Sequence, residues 1–169
     1  MTVKLTEWWT SRVLTFPSKK RRSRDASTTK AARPVTSQFG RETWALVVPE
    51  GWRAQHEPAC ATLVGPDDIG AFQVSAYFRE SDVLDGDLRD FASEHLDAGV
   101  QPTATRAGDF TGFEIAFSDS ESCWRHWYLR NGRQMLFVTY NCDLDQKGTE
   151  DGPVLEILGS LVATGGDGA

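Results

Sequence analysis

No stretch of this 169-residue sequence approaches the ~20 consecutive apolar residues that a membrane-spanning helix needs. Nor does it open on a good secretory leader, since Glu7 and Arg12 interrupt what would be its apolar centre. Cysteine is scarce. Cys60, Cys123 and Cys142 are an odd number, which argues against a disulfide framework. A P-loop, a dinucleotide fingerprint and a Gly-x-Ser-x-Gly elbow are all missing. The expectation from these absences is a non-enzymatic cytoplasmic protein that carries no cofactor and no metal.

Charge is divided unevenly. Residues 1–37 hold nine Lys and Arg against two Asp and Glu, a balance of +7. Residues 38–169 hold nine against twenty-two, a balance of -13. The acidic body repels nucleic acid and anionic membranes, so any such contact would run through the arm. Within the arm, Lys19, Lys20, Arg21, Arg22 and Arg24 form a dense cationic run. Its charges repel and it buries nothing, so residues 1–37 read as a disordered extension. Residues 38–163 read as one domain and 164–169 as a flexible tail.

Six Trp and nine Phe supply ample core material. The folded region opens on a strand at 43–48, closed by Pro49-Glu50-Gly51. A second strand covers 60–64. Residues 71–79 alternate, with Phe72, Val74, Ala76 and Phe78 on one side. A helix follows, capped by Asp85 or Asp87, carrying Leu88, Phe91, Ala92, His95 and Leu96, and stopped by Gly99. Strands at 103–107 and 110–117 come next. Two aromatic-rich runs, 122–129 and 134–142, flank Asn131-Gly132, the favoured two-residue hairpin turn. A last helix is expected over 153–162, with Pro153 at its first position and a stripe of Val154, Leu155, Leu158, Leu161 and Val162. The order predicts an α+β fold, a largely antiparallel sheet of six or seven strands with helices packed on its faces.

Candidate sites are few. Cys123 and His126 are three apart on a strand and point to opposite faces, so they do not make a nucleophile and base. With Asn131-Gly132 as the loop, Cys123 falls opposite Tyr140 and His126 opposite Phe137. Cys123 and Cys142 are then diagonal neighbours, roughly 7–8 Å apart between Cα atoms. That is too far for a disulfide, and two reduced thiols are expected. Asp143 to Gly148 resembles the start of a calcium loop but lacks its later carboxylates, so it reads as a capped turn. The acid-rich Asp82, Asp85, Asp87 and Asp90 read as a solvated helix start. His56 and His95 show no evident partner. The one feature that points to binding is an aromatic strip on the hairpin: Trp124, His126, Tyr128, Met135 and Phe137 share a face. The opposite face holds Arg125, Trp127, Leu136, Val138 and Tyr140.

Val47-Val48-Pro49-Glu50-Gly51-Trp52 resembles the opening "hydrophobic-Pro-x-Gly-Trp" of the PsbP-like superfamily. The hairpin from Trp127-Tyr128-Leu129 to Val138-Thr139-Tyr140 is similar to that family's central pair. The segment Leu155 to Leu161 is similar to its closing helix. The superfamily includes a photosystem II extrinsic protein, a Ran-binding import factor, bacterial lipoproteins and type VI effector chaperones. The resemblance implies an antiparallel sheet between helices and a partner-binding role without catalytic residues. The expected function is therefore a protein-interaction module of the adaptor or immunity type. The alternative is a small-ligand or hydrolytic pocket beside the 122–142 hairpin, using His126 and Arg125.

Overall fold

A computed structural model describes residues 43–58 and 60–165. The arm, with Lys19, Lys20, Arg21, Arg22 and Arg24, lies outside them, as do residues 166–169 of the tail. Among the described residues nine strands form: β1 (Trp44–Ala45), β2 (Arg53–His56), β3 (Ala61–Val64), β4 (Gly70–Phe78), β5 (Thr103–Ala107), β6 (Phe110–Ser118), β7 (Ser122–Asn131), β8 (Gln134–Asp143) and β9 (Val162–Ala163). Three α-helices accompany them: α1 (Asp85–Phe91), α2 (Ser93–Asp97) and α3 (Asp151–Gly159). Seven strands make one antiparallel sheet in the order β2-β3-β4-β8-β7-β6-β5. β1 and β9 pair separately. The protein is α+β, as the element order predicts. β2 is an addition: Arg-Ala-Gln-His carries no apolar alternation, and three of its four residues are exposed.

Strand alternation divides the sheet into two faces. The first carries Leu63, Phe72, Val74, Trp127, Leu129, Leu136 and Val138, all but sealed from solvent. It is covered by α3 and by the segment holding Trp44, Leu46 and Trp52. The covering stripe of α3 is Val154, Ile157 and Leu158, continued by Leu161 beyond its end. That spacing of three, four and seven is the true helical face. Leu155 falls outside it and is 57% exposed, which corrects its predicted place in the core. Helix α3 also starts two residues before Pro153 and ends at Gly159, because Val162 leaves the helix to pair with Ala45. Pro153 is tolerated at the third position, where backbone N–H groups have no helical acceptor anyway.

The central hairpin turns one residue later than predicted. Asn131 pairs with Gln134, leaving Gly132-Arg133 as the loop. Gly132 has φ +53 and Arg133 does not share a positive φ. Glycine at the first loop position is the pattern of a type II′ turn. Asn131 instead uses its side chain, donating to the Asp109 carbonyl at 2.8 Å. Moving the turn by one residue moves the register by two. Cys123 therefore sits opposite Cys142, and His126 opposite Thr139. An even shift keeps each side chain on its expected face.

The predicted long helix is two short ones, broken at Ala92 with φ -89 and ψ 7. Its N-cap is Leu84 rather than Asp85 or Asp87. Asp87 acts from inside the first turn, accepting the Leu84 backbone N–H at 2.8 Å. That bond, aided by Arg79, holds its carboxyl below the usual aspartate range. Asp85 meets Arg130 at 2.7 Å.

Candidate functional site

The second face of the sheet carries the aromatic strip, and α1 and α2 pack over part of it. Phe91 anchors that packing. Its ring lies 5.8 Å from Tyr77, 5.7 Å from Tyr128 and 5.4 Å from Phe137, centroid to centroid. Edge-on geometry toward Tyr128 and Phe137 suits the ring quadrupoles. Tyr128, Met135 and Phe137 are buried here. Burial, with the Glu94 charge nearby, raises the Tyr128 hydroxyl well above its ordinary range. These three residues of the predicted strip are therefore core.

Farther along, α2 brings His95 onto the strip. Its ring sits 5.2 Å from His126 and 4.6 Å from Phe117. His95 thus has partners that the sequence reading did not assign. Its place four residues after Phe91 on the same helical side was the available signal. His126 is half-buried, and its Nδ1 is sealed from solvent without a hydrogen-bond partner. Burial, and secondarily the proximity of His95, push the His126 pKa down to about 3. The ring is neutral at physiological pH.

Beyond His126 the helices no longer seal the face. Phe117 and Trp124 stack at 6.3 Å with planes 9° apart, and both stay half-buried. Beside them lie Thr139, Asn141, Gln73 and Thr62, also half-buried and uncharged. Gln73 Nε2 donates to Thr62 Oγ1 at 3.2 Å. At the strand ends a cavity of about 250 Å³ opens, lined by Phe117, Cys123, Trp124, Arg125, Lys147 and Asp151 among others.

The residues suggested for a hydrolytic pocket are separated. Arg125 lies on the first face, where it grips Glu114 at 2.6 and 3.2 Å and Asp151 at 3.1 Å. His126 lies on the second. Cys123 also faces away from His126, as strand alternation requires. Its Sγ is 3.1 Å from Cys142 Sγ, which replaces the predicted diagonal separation with direct opposition. Among the described residues no three His, Cys, Asp or Glu groups converge as metal ligands. Asp143 to Gly148 forms a short 3-10 turn over Leu144–Gln146.

The fold has solved counterparts. A Bacteroides thetaiotaomicron structure matches with a TM-score of 0.59 and 15% identity over 75% of this chain. This chain spans only 46% of that protein. LpqN, described as involved in cell envelope biogenesis of Mycobacterium tuberculosis, matches with a TM-score of 0.56 and 16% identity. That match covers 79% of this chain and 91% of LpqN. At such identities the likeness is one of fold. No family model matches the chain, and no curated protein matches it. No helix among the described residues is long and apolar enough to cross a membrane.

Proposed function

We propose that the protein is a partner-binding module of the PsbP-like kind, and that it docks another protein on the unsealed half of its second sheet face. One observation carries this reading. Phe117 and Trp124 remain half-buried beside the uncharged Thr62, Gln73, Thr139 and Asn141, while Tyr128 and Phe137 of the same strip are packed under Phe91. Aromatic anchors amid neutral hydrogen-bonding groups are the composition of an interface centre. The balance of -13 over residues 38–169 favours a basic partner. An antiparallel sheet between helices is the architecture that the sequence resemblance implies. The same reading keeps the protein in the cytoplasm, and fractionation with the envelope would move it toward the setting described for LpqN.

The test is recovery of the full chain from its native cell. The wild type should bring down a stoichiometric companion, and a Phe117→Ala/Trp124→Ala variant of unchanged melting temperature should lose it. Recovery of the bare protein alone overturns the reading. A small-molecule ligand is the second possibility, favoured by the unpartnered Nδ1 of His126. A ligand at 100 times its dissociation constant stabilises by about 2.7 kcal/mol, so a thermal-shift screen without hits disposes of it.

A further inference from the structure

Cys123 and Cys142 are direct partners in the β7–β8 ladder, and their sulfurs are 3.1 Å apart. Directly opposed residues of an antiparallel pair have Cα atoms about 4.5 or 5.5 Å apart, and both values lie inside the roughly 4.4–6.8 Å span of disulfides. Bond formation needs the sulfurs to close by about 1 Å, a side-chain movement only. The two thiols differ in access. Cys123 lines the cavity of about 250 Å³ beside Phe117, Trp124 and Lys147, whereas Cys142 does not line it. Both are otherwise buried, and Cys60 stands apart near Glu57.

We propose that Cys123 and Cys142 form a redox-active dithiol site that a small organic disulfide oxidises, with Cys123 as the entry thiol and Cys142 as the resolving one. In the first step the Cys123 thiolate attacks one sulfur of the disulfide. A mixed disulfide forms on Cys123, and the expelled thiolate takes up the proton that Cys123 lost. In the second step the Cys142 sulfur attacks Cys123 Sγ. The Cys123–Cys142 bond forms, and the second small thiol leaves with the Cys142 proton. The protein loses two protons and two electrons, the equivalent of two hydrogen atoms, and one small disulfide takes them up to become two thiols. Burial and the neighbouring Cys123 push the Cys142 pKa up to about 12, which agrees with its acting second.

The experiment uses the full chain with Cys60→Ser, so that only the pair remains. The folded protein is exposed to oxidised glutathione, then denatured and treated with a maleimide, and its intact mass is read. The expected product is two hydrogens lighter, takes no maleimide, and reverts with dithiothreitol. Its melting temperature should rise by about 5–10 °C, since the bond restrains the unfolded chain. Adding Cys142→Ser should trap one glutathione on Cys123, and adding Cys123→Ser should slow glutathione capture at least tenfold. Two maleimides after oxidation, a disulfide between molecules, or equal capture by the two single-thiol variants overturns the proposal. Should either Ser variant fail to fold, the Cys60→Ser mass result decides by itself.

Discussion

Gly108 and Gly132 offer a controlled comparison, because they share a positive φ and differ in surroundings. Their φ values are +58 and +53. An alanine in the left-handed region costs about 1–2 kcal/mol. Part of that is offset by about 0.4–1 kcal/mol, because alanine narrows the unfolded ensemble. At Gly132 an added Cβ meets nothing within 4 Å. Gly132→Ala should therefore cost about 1 kcal/mol, all of it backbone. At Gly108 the added Cβ would sit 1.7 Å from the Leu161 carbonyl oxygen. That carbonyl accepts the Asp109 N–H at 2.9 Å, and Leu161 is fully buried just before β9. The carbonyl has to move, losing a hydrogen bond worth about 1 kcal/mol and shifting core contacts as well. Gly108→Ala should cost at least ~3 kcal/mol in total. Urea unfolding of both variants measures this, as a lower midpoint at an unchanged slope. A Gly108→Ala cost no larger than that of Gly132→Ala would refute the packing of the β5–β6 turn against the end of α3.

Ile157→Ala should cost roughly 2–5 kcal/mol, because its side chain is fully buried under the sheet. Leu155→Ala, two residues earlier and mostly exposed, should cost less than ~0.5 kcal/mol by the same assay. His126 has a folded pKa near 3 against an ordinary 6.5, so its stabilising neutrality is intact above pH 6.5 and is lost as pH falls toward 3. The loss should be on the order of 1 kcal/mol per pH unit across that window. His126→Phe should flatten this limb in urea midpoints taken across it, and should cost little at pH 7 because it removes an unpartnered nitrogen. Asp87, whose carboxyl is lowered, contributes stability above pH 3.8 that disappears as pH drops through its folded value. Asp87→Asn should lack that acid-limb loss in thermal scans run at falling pH.

Much of the sheet was readable because alternation depends only on parity. The turn is displaced by one residue, yet Trp124, His126, Tyr128, Met135 and Phe137 still share a face, since the register slips by two. Pairing partners lacked that protection, so Cys123 was matched to Tyr140 instead of Cys142. Asn-Gly suits one turn type and a leading glycine suits another, and the sequence Asn131-Gly132-Arg133 satisfies both readings. Helix α3 shows the opposite problem. Apolar residues fill nearly all of 154–158, so the pattern alone does not say that Leu155 lies off the stripe. The His95–His126 contact joins α2 to β7, with β5 and β6 between them in the chain; local spacing puts His95 on the side of Phe91 but does not name His126 as its neighbour. Strand β2 escaped because an edge strand with little to bury needs no apolar rhythm.

The small ribbon of β1 and β9 has a bearing on the order of events during synthesis. It joins Trp44 to Ala163 and Ala45 to Val162, close to the first and last of the described residues. The hairpins of the main sheet connect neighbours in the chain and can form as the polypeptide emerges from the ribosome. The ribbon has to wait until residue 163 has been made, because its second strand does not exist before then. Trp44, one of the largest buried side chains, lies in this late-closing strand. A released chain that ends at residue 161 therefore holds all seven strands of the main sheet but leaves Trp44 without its latch, a form suited to capture by a chaperone or a protease.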